Sequence, residues 1–192
     1  MQKTIYLQQL GDFNKKILIR LKNQLIREFK EFDISFQVAE NEIPLEESDY
    51  NAIRRQYNAN SILNKLAYQL QEIQYFRILG ILDKDTFSGS LNFVFGLAMS
   101  PNIKNLNFPI IALISITRLR EEFYRRSINN TLFEVRVLKE AIHELGHTFG
   151  LKHCNNYCIM KFSNSLRDTD NKPKEFCASC LNKLKSYLYH KE

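Results

Sequence analysis

The chain has 192 residues, of which 44% are hydrophobic and 25% are charged, and its formal net charge is +6. This length fits one domain, or one domain with a small subdomain, whose core needs no disulfide bonds. The basic residues are scattered, no apolar run is long enough to cross a membrane, and the first residues lack the apolar stretch of a signal peptide. We therefore expect a cytoplasmic protein without a membrane partner, and we do not expect nucleic acid as a ligand.

Strands and helices are predicted to alternate along the chain. Short apolar runs and alternating patterns indicate strands, whereas apolar residues at helical spacing indicate helices. The predicted strands cover residues 5–10, 34–38, 76–82, 91–97 and 110–116. The predicted helices cover residues 18–32, 62–73, 131–149 and 178–190. This order predicts an α/β sheet domain over residues 1–150.

The helix predicted over residues 131–149 has clear end signals. Thr131 and Glu134 have the spacing of a capping box, and Gly150 stands where a helix would end. Its apolar stripe, which we expect to face the sheet, consists of Val135, Leu138, Ile142, Leu145 and Phe149.

The same helix carries His143, Glu144 and His147 in an HExxH pattern. Residues i and i+4 share one face of a helix, so two imidazoles at this spacing can bind one zinc ion. Glu144 follows the first histidine, and its carboxylate can reach an attacking water without binding the metal. The alternative is a pair of surface histidines that bind no metal.

A third histidine extends the pattern to HExxHxxGxxH. A tetrahedral catalytic zinc has three protein ligands and one open position for water. Gly150 can adopt a left-handed conformation and reverse the chain, so that His153 supplies the third ligand. The full pattern resembles the metzincin clan of zinc metallopeptidases. That resemblance implies that Met160 lies in a tight turn beneath the zinc. Phe162 stands where some metzincins have a zinc-binding tyrosine, which excludes such a ligand here.

All four cysteines of the chain lie beyond residue 150, at Cys154, Cys158, Cys177 and Cys180. In an intracellular protein this clustering favours a metal over two disulfides. A site with four cysteine ligands has no open position, so a zinc ion there would be structural. It would hold the segment that carries His153. The alternative is four reduced, buried thiols.

This combination is similar to one family in particular, the archaemetzincins. The family joins the metzincin helix to a cysteine directly after the third histidine, a methionine, and a terminal CxxC. Here those features are His143 to Cys154, then Cys158, Met160 and the pair Cys177 and Cys180. Two spacings depart from the family: the first cysteine pair is CxxxC, with one residue fewer, and the gap from the methionine to the CxxC is one shorter.

The resemblance implies a metzincin-like zincin domain with a twisted mixed sheet and an active-site helix. It also implies a small helical zinc-bound subdomain over residues 151–192, which contains the third histidine, the methionine turn and the cysteine site. Residues 91–96 resemble the strand that borders the cleft in such proteins. The expected activity is zinc-dependent hydrolysis of peptide bonds, aminopeptidase-like on short peptides, with Glu144 as general base and two zinc ions per chain.

Two other functions stay open. The first is a zinc-containing module that binds peptides or proteins with little or no turnover. The second is a zinc-ribbon nucleic-acid binder, in which basic residues near the cysteines would contact phosphates; these are Lys172, Lys174, Lys183 and Lys185. We expect those lysines to line a solvated face instead. The expected partner is a peptide or protein substrate, and the sequence does not indicate an oligomeric state.

Overall fold

The computed structural model describes residues 3–70, 76–101 and 110–189. It has a mixed α/β architecture, as predicted. In chain order the strands are β1 (Lys3–Leu10), β2 (Ile34–Val38), β3 (Tyr50–Asn51), β4 (Gln56–Asn58), β5 (Arg77–Leu82), β6 (Thr86–Phe87), β7 (Gly96–Ala98) and β8 (Ile111–Ser115). The helices are α1 (Lys16–Glu28), α2 (Ala59–Gln69), α3 (Asn130–Thr148), α4 (Leu166–Asn171) and α5 (Ala178–Tyr189). Within the described ranges, no helix is both long and apolar enough to cross a lipid bilayer.

The main sheet has five strands in the spatial order β2-β1-β5-β8-β7. The first four strands are parallel to their neighbours, and the edge strand β7 is antiparallel to β8. Every residue of β5 and β8 is buried, because helices cover both faces of the sheet. Helix α2 packs on the face that presents Ile78, Leu82 and Leu113. Helices α1 and α3 pack on the opposite face.

A small second sheet has the order β3-β4-β6. Its strands have only two or three residues, too few for a hydrophobic period to reveal them. The predicted strand over residues 91–97 was largely wrong, because only residues 96–98 form β7. Side chains bind the backbone of the segment before β7 instead. Arg54 and Gln56 donate to the carbonyl of Asn92. Thr86 exchanges hydrogen bonds with the backbone of Val94.

Helix α3 begins differently from the prediction. The side chain of Asn129 accepts the Leu132 N–H and caps the helix, so Thr131 is not the cap. Glu134 forms an ion pair with Arg20 of α1 instead of closing a capping box. Val135 is 38% exposed, so its place in the apolar stripe was wrong, whereas the other four predicted members are buried.

The C-terminal segment packs on the same core as the sheet domain. One apolar cluster joins Leu18 and Leu79 to Ile159, Leu166 and Leu184. Buried charges of α3 also bind α4: Arg136 forms an ion pair with Asp170, and Lys139 donates to the backbone carbonyls of Thr169 and Asp170. A division of the chain at residue 150 stays a prediction.

Candidate active site

Helix α3 forms one wall of a cavity of about 260 Å³. His143 and His147 of this helix line the cavity. His143 is only 4% exposed, and the helix around it is largely buried. Strand β7 and the residues before it form the facing wall. The cavity is also lined by His147, His153, Glu144 and Phe162, and so brings the predicted catalytic residues into one cleft.

Backbone carbonyls orient two of the three histidines. His143 Nδ1 lies 2.8 Å from the carbonyl oxygen of Ile159, and His147 Nδ1 lies 2.7 Å from that of Leu151. Since a carbonyl can only accept, both Nδ1 atoms carry the proton, and both Nε2 atoms present a lone pair. The two Nε2 atoms are 3.1 Å apart. Two nitrogen ligands of one tetrahedral zinc would be about 3.3 Å apart, so this spacing fits a shared metal ion.

Gly150 ends the helix and turns the chain toward the third histidine. Its φ is +81°, in the left-handed region that glycine adopts without strain. The Leu151 N–H donates to the carbonyl of Gly146, which closes the helix end. The ring centroid of His153 then lies 5.4 Å from that of His143 and 4.9 Å from that of His147. One ligand atom from each of the three histidines lies within 4.8 Å of the others, so the set can hold a single metal ion.

The surroundings favour neutral imidazoles, the form that binds metal. Burial lowers the pKa of His143 well below its usual range, and the positive charge of Lys172 adds to this shift. Burial also lowers the pKa of His147 and that of His153. The three side chains are therefore ready to bind a cation at neutral pH.

Glu144 lies in the same cleft and is 5% exposed. Burial raises the pKa of this carboxyl well above its usual range, and the charge of Glu140 adds to the increase, while Lys172 opposes it. A carboxylate with a raised pKa is a better proton acceptor at neutral pH, which is the property a general base needs.

Met160 packs against helix α3. The side chain is fully buried, and its Sδ packs against Gly146, between the two histidines of the helix. A methyl group at Gly146 would overlap this sulfur. The Cys154 N–H donates to the carbonyl of Met160 at 2.9 Å, which ties the methionine turn to the residue after His153.

The four cysteines form a second cluster, and all four are free thiols. Cys154 Sγ lies 3.8 Å from Cys177 Sγ. Two thiolates of one tetrahedral zinc would be about 3.8 Å apart, so the geometry fits this metal. Cys158 Sγ accepts backbone N–H groups from Met160 and Cys177, which offset part of the increase that burial causes in the pKa of this thiol. The CxxxC spacing therefore does not keep Cys158 out of the cluster.

Three of the four lysines near the cysteines form ion pairs with acidic residues. Lys172 is buried, at 3% exposure, which corrects the expectation that it is solvated. Lys174 forms an ion pair with Glu28, and Lys185 forms one with Glu31. These ion pairs reduce the positive charge that a phosphate backbone would meet here, and they disfavour the zinc-ribbon alternative.

Several residues of the cleft were not predicted from the sequence. Gly96 lies against Glu144, and Glu140 lines the cavity one helical turn before it. The i−4 spacing from Glu144 was a usable signal for Glu140, because such residues share a helix face. No sequence signal pointed to Lys172 or Ser163, which long-range packing brings to the site.

Known proteins resemble this chain over most of its length. The model of Peptidase family M54 matches residues 13–186. The archaemetzincin of Sulfolobus acidocaldarius is 41% identical over 178 residues, covering 88% of this chain and 96% of that protein. The crystal structure of the Archaeoglobus fulgidus archaemetzincin covers 94% of this chain and 99% of its own, with 36% identity and a TM-score of 0.74. A zinc-dependent peptidase from Methanocorpusculum labreanum covers 94% of this chain and 99% of its own, with 28% identity and a TM-score of 0.78.

The fold, the histidine cluster and these similarities define a zinc-dependent metallopeptidase that acts on peptide or protein substrates. The chain belongs to Peptidase family M54, the family of the archaemetzincins.

Proposed function

We propose that His143, His147 and His153 hold the catalytic zinc of this peptidase and that Glu144 is its general base. The observation that carries this assignment is the convergence of three imidazoles beside one buried carboxylate in a single cleft. Zinc, when bound, polarises the scissile carbonyl and lowers the pKa of the attacking water. Glu144 accepts the proton of that water and then transfers it to the leaving amine.

The substrate peptide adds to the sheet along the open edge of β7. Phe95 and Met99 direct their backbone groups toward β8, as shown by the bonds from Ser115 N to Phe95 O and from Met99 N to Ile111 O. In an antiparallel pair these groups alternate in direction, so those of Gly96 and Ala98 face away from β8, toward the cleft. An extended peptide can pair with them as an additional strand.

The four cysteines hold a second, structural zinc. The Sγ spacing and the backbone donors to Cys158 support this assignment. Since Cys154 follows His153 directly, a metal at this cluster also fixes the third catalytic ligand. Free thiols are typical of proteins in a reducing compartment, which is consistent with a cytoplasmic location.

Aminopeptidase-like action on short peptides is the finer part of the proposal, and it rests on the family resemblance. Cleavage of free and N-acetylated versions of the same peptides distinguishes aminopeptidase from endopeptidase action, because an aminopeptidase requires the free amine. We expect cleavage of the free peptides only. Equal cleavage of both would indicate an endopeptidase.

Cleavage of a peptide library by the native protein and by Glu144→Gln tests the catalytic assignment. We expect products with the native protein and none with the variant, whose zinc content should be unchanged. Residual cleavage by Glu144→Gln would contradict the role of Glu144. Stoichiometric peptide binding without cleavage by the zinc-loaded native protein would instead favour the binding-module alternative.

A further inference from the structure

A buried ion pair reaches the wall of the cleft beside the proposed general base. Lys172 Nζ lies 3.0 Å from Glu140 Oε1, and their side chains are 1% and 3% exposed. Thr169 Oγ1 donates to the same carboxylate oxygen at 3.0 Å. Glu140 lines the cavity, whereas Lys172 and Thr169 lie behind it. Two residues outside the cavity lining therefore hold the Oε1 side of this carboxylate.

The polar groups of this corner are only partly satisfied. Both contacts to Glu140 use Oε1, and in the described ranges no donor reaches Oε2. Ser163 also lines the cavity, and its buried hydroxyl has no hydrogen-bond partner among the described residues. Buried polar groups are nearly always paired, so unsatisfied groups on a cleft wall indicate a place for a ligand.

Apolar side chains form much of the cavity lining. Leu91, Phe93, Val94 and Phe162 line the same cavity. A long side chain with an aliphatic stem and a terminal N–H donor matches this arrangement, because its stem can lie on apolar surface while its end meets a carboxylate. Lysine and arginine have that form, and a charged donor makes the stronger hydrogen bond to a carboxylate.

The direction of β7 shows which substrate residue would reach Glu140. Gly96 lies against Glu144, and Pro101 approaches Gly150 at the far end of α3, so β7 runs in the same direction as the helix. An added peptide antiparallel to β7 therefore runs opposite to α3, and its C-terminal part lies toward Glu140. Antiparallel pairing is the more frequent arrangement.

We infer that Glu140 and Ser163 form a pocket that selects a lysine or arginine side chain in the residue C-terminal to the cleaved bond. This inference rests on the proposed peptidase function and adds its substrate preference. The Glu140 carboxylate accepts the N–H groups of the substrate side chain, and the Ser163 hydroxyl accepts a further one. Lys172 and Thr169 hold the carboxylate in place.

Binding of peptide hydroxamates to the zinc-loaded protein tests the pocket without turnover. The hydroxamate group stands at the N-terminal end of each compound and binds the metal, so the side chain that follows it occupies the position C-terminal to the cleaved bond; this side chain is lysine, norleucine or glutamate. We expect the native protein to bind the lysine compound about tenfold more tightly than the norleucine compound, and the glutamate compound most weakly. Glu140→Gln should lose the preference for lysine. Glu134→Gln, on the same helix outside the cleft, should keep it.

If Glu140→Gln folds poorly because it leaves the buried Lys172 charge unpaired, a double variant provides the test. Glu140→Leu with Lys172→Met removes both charges and keeps the side-chain volume. It should bind the norleucine compound best. Equal binding of lysine and norleucine compounds by the native protein, or a lysine preference that survives in the double variant, would overturn the pocket alone. If no hydroxamate bound and no library peptide were cut, the peptidase site itself would be overturned, and the pocket with it.

Library digestion gives a second measurement. The residue that follows each cut becomes a new N-terminus, which mass spectrometry identifies. We expect lysine and arginine to be enriched at these positions with the native protein and with Glu134→Gln, but not with Glu140→Gln. Abundant cleavage without this enrichment would contradict the pocket and leave the peptidase function intact.

Discussion

Gly96 of the edge strand lies directly against Glu144 of the active-site helix. A methyl group at Gly96 would stand 2.5 Å from both Cγ and Oε1 of Glu144. The absence of a side chain therefore lets the strand approach the helix, and it also fixes where the carboxylate can lie. The proposed base is positioned by the same strand that would bind the substrate.

Gly96→Ala should lower the rate of peptide cleavage by about a hundredfold, because a displacement of roughly 1 Å at a reacting group has an effect of that size. Steady-state kinetics and zinc content would be measured together, and zinc content should not change. Gly80→Ala is a matched control, since its methyl group would meet Leu10 and Leu113 in the core. That variant should lose stability but retain its rate per folded molecule. An unchanged rate in Gly96→Ala would contradict the positioning of Glu144.

Met160 and Gly146 should show strong coupling in stability. Gly146→Ala overpacks the space beneath the helix and should cost about 1–3 kcal/mol, and Met160→Ala should cost about 2–5 kcal/mol by leaving a cavity. In the double variant the new methyl group no longer meets the sulfur, so the combined cost should be less than the sum. Denaturant unfolding at fixed, saturating zinc would give the free energy of unfolding of the native protein, the two single variants and the double variant. Additive costs would show that the two residues do not share this space.

Arg136 should contribute more to stability than a surface arginine does. Its side chain is 1% exposed and forms ion pairs with Glu121 and Asp170. Arg136→Met leaves Glu121 poorly paired and should cost about 3 kcal/mol. Arg20→Met breaks the exposed pair with Glu134 and should cost less than about 1 kcal/mol. Similar losses for the two variants, measured by denaturant unfolding, would contradict the importance of burial.

Cys177 should be the first cysteine to react when zinc is removed. Hydrogen bonds from the Cys180 backbone and from Asn156 lower the pKa of Cys177 to about 6, so this thiol is largely ionised at pH 7. Burial raises the pKa of Cys158 and that of Cys180, which stay protonated. The thiolate is the reactive form, so short exposure to iodoacetamide should label Cys177 first, and more slowly at pH 5.

Peptide mapping by mass spectrometry would give the order of labelling. In the zinc-loaded protein all four cysteines should be protected. Simultaneous labelling of the four thiols after zinc removal would show that the cluster does not keep this arrangement without metal.

The local chemistry of the site could be predicted from the sequence because helix geometry fixes it. His143, Glu144 and His147 lie within one turn of α3, and Gly150 reverses the chain with a positive φ, as the HExxHxxGxxH spacing indicates. The central parallel strands β5 and β8 were also predicted correctly, since apolar runs identify them.

Contacts between distant segments could not be predicted in the same way. Lys172 looks like a surface residue in the sequence, yet α4 brings it to Glu140 inside the protein. Alternating apolar residues before Gly96 resembled a strand, but Arg54 and Gln56 bind that backbone. Both cases depend on tertiary partners that a local pattern does not contain.

Zinc per chain, measured by elemental analysis, most directly tests whether the imidazoles and the thiolates form separate metal sites. The comparison is between the native protein and a variant with His143→Ala, His147→Ala and His153→Ala. We predict two zinc ions per native chain and one per variant chain, because the cysteine cluster keeps its own ligands. Equal zinc content in the two proteins would contradict a catalytic zinc on the three histidines.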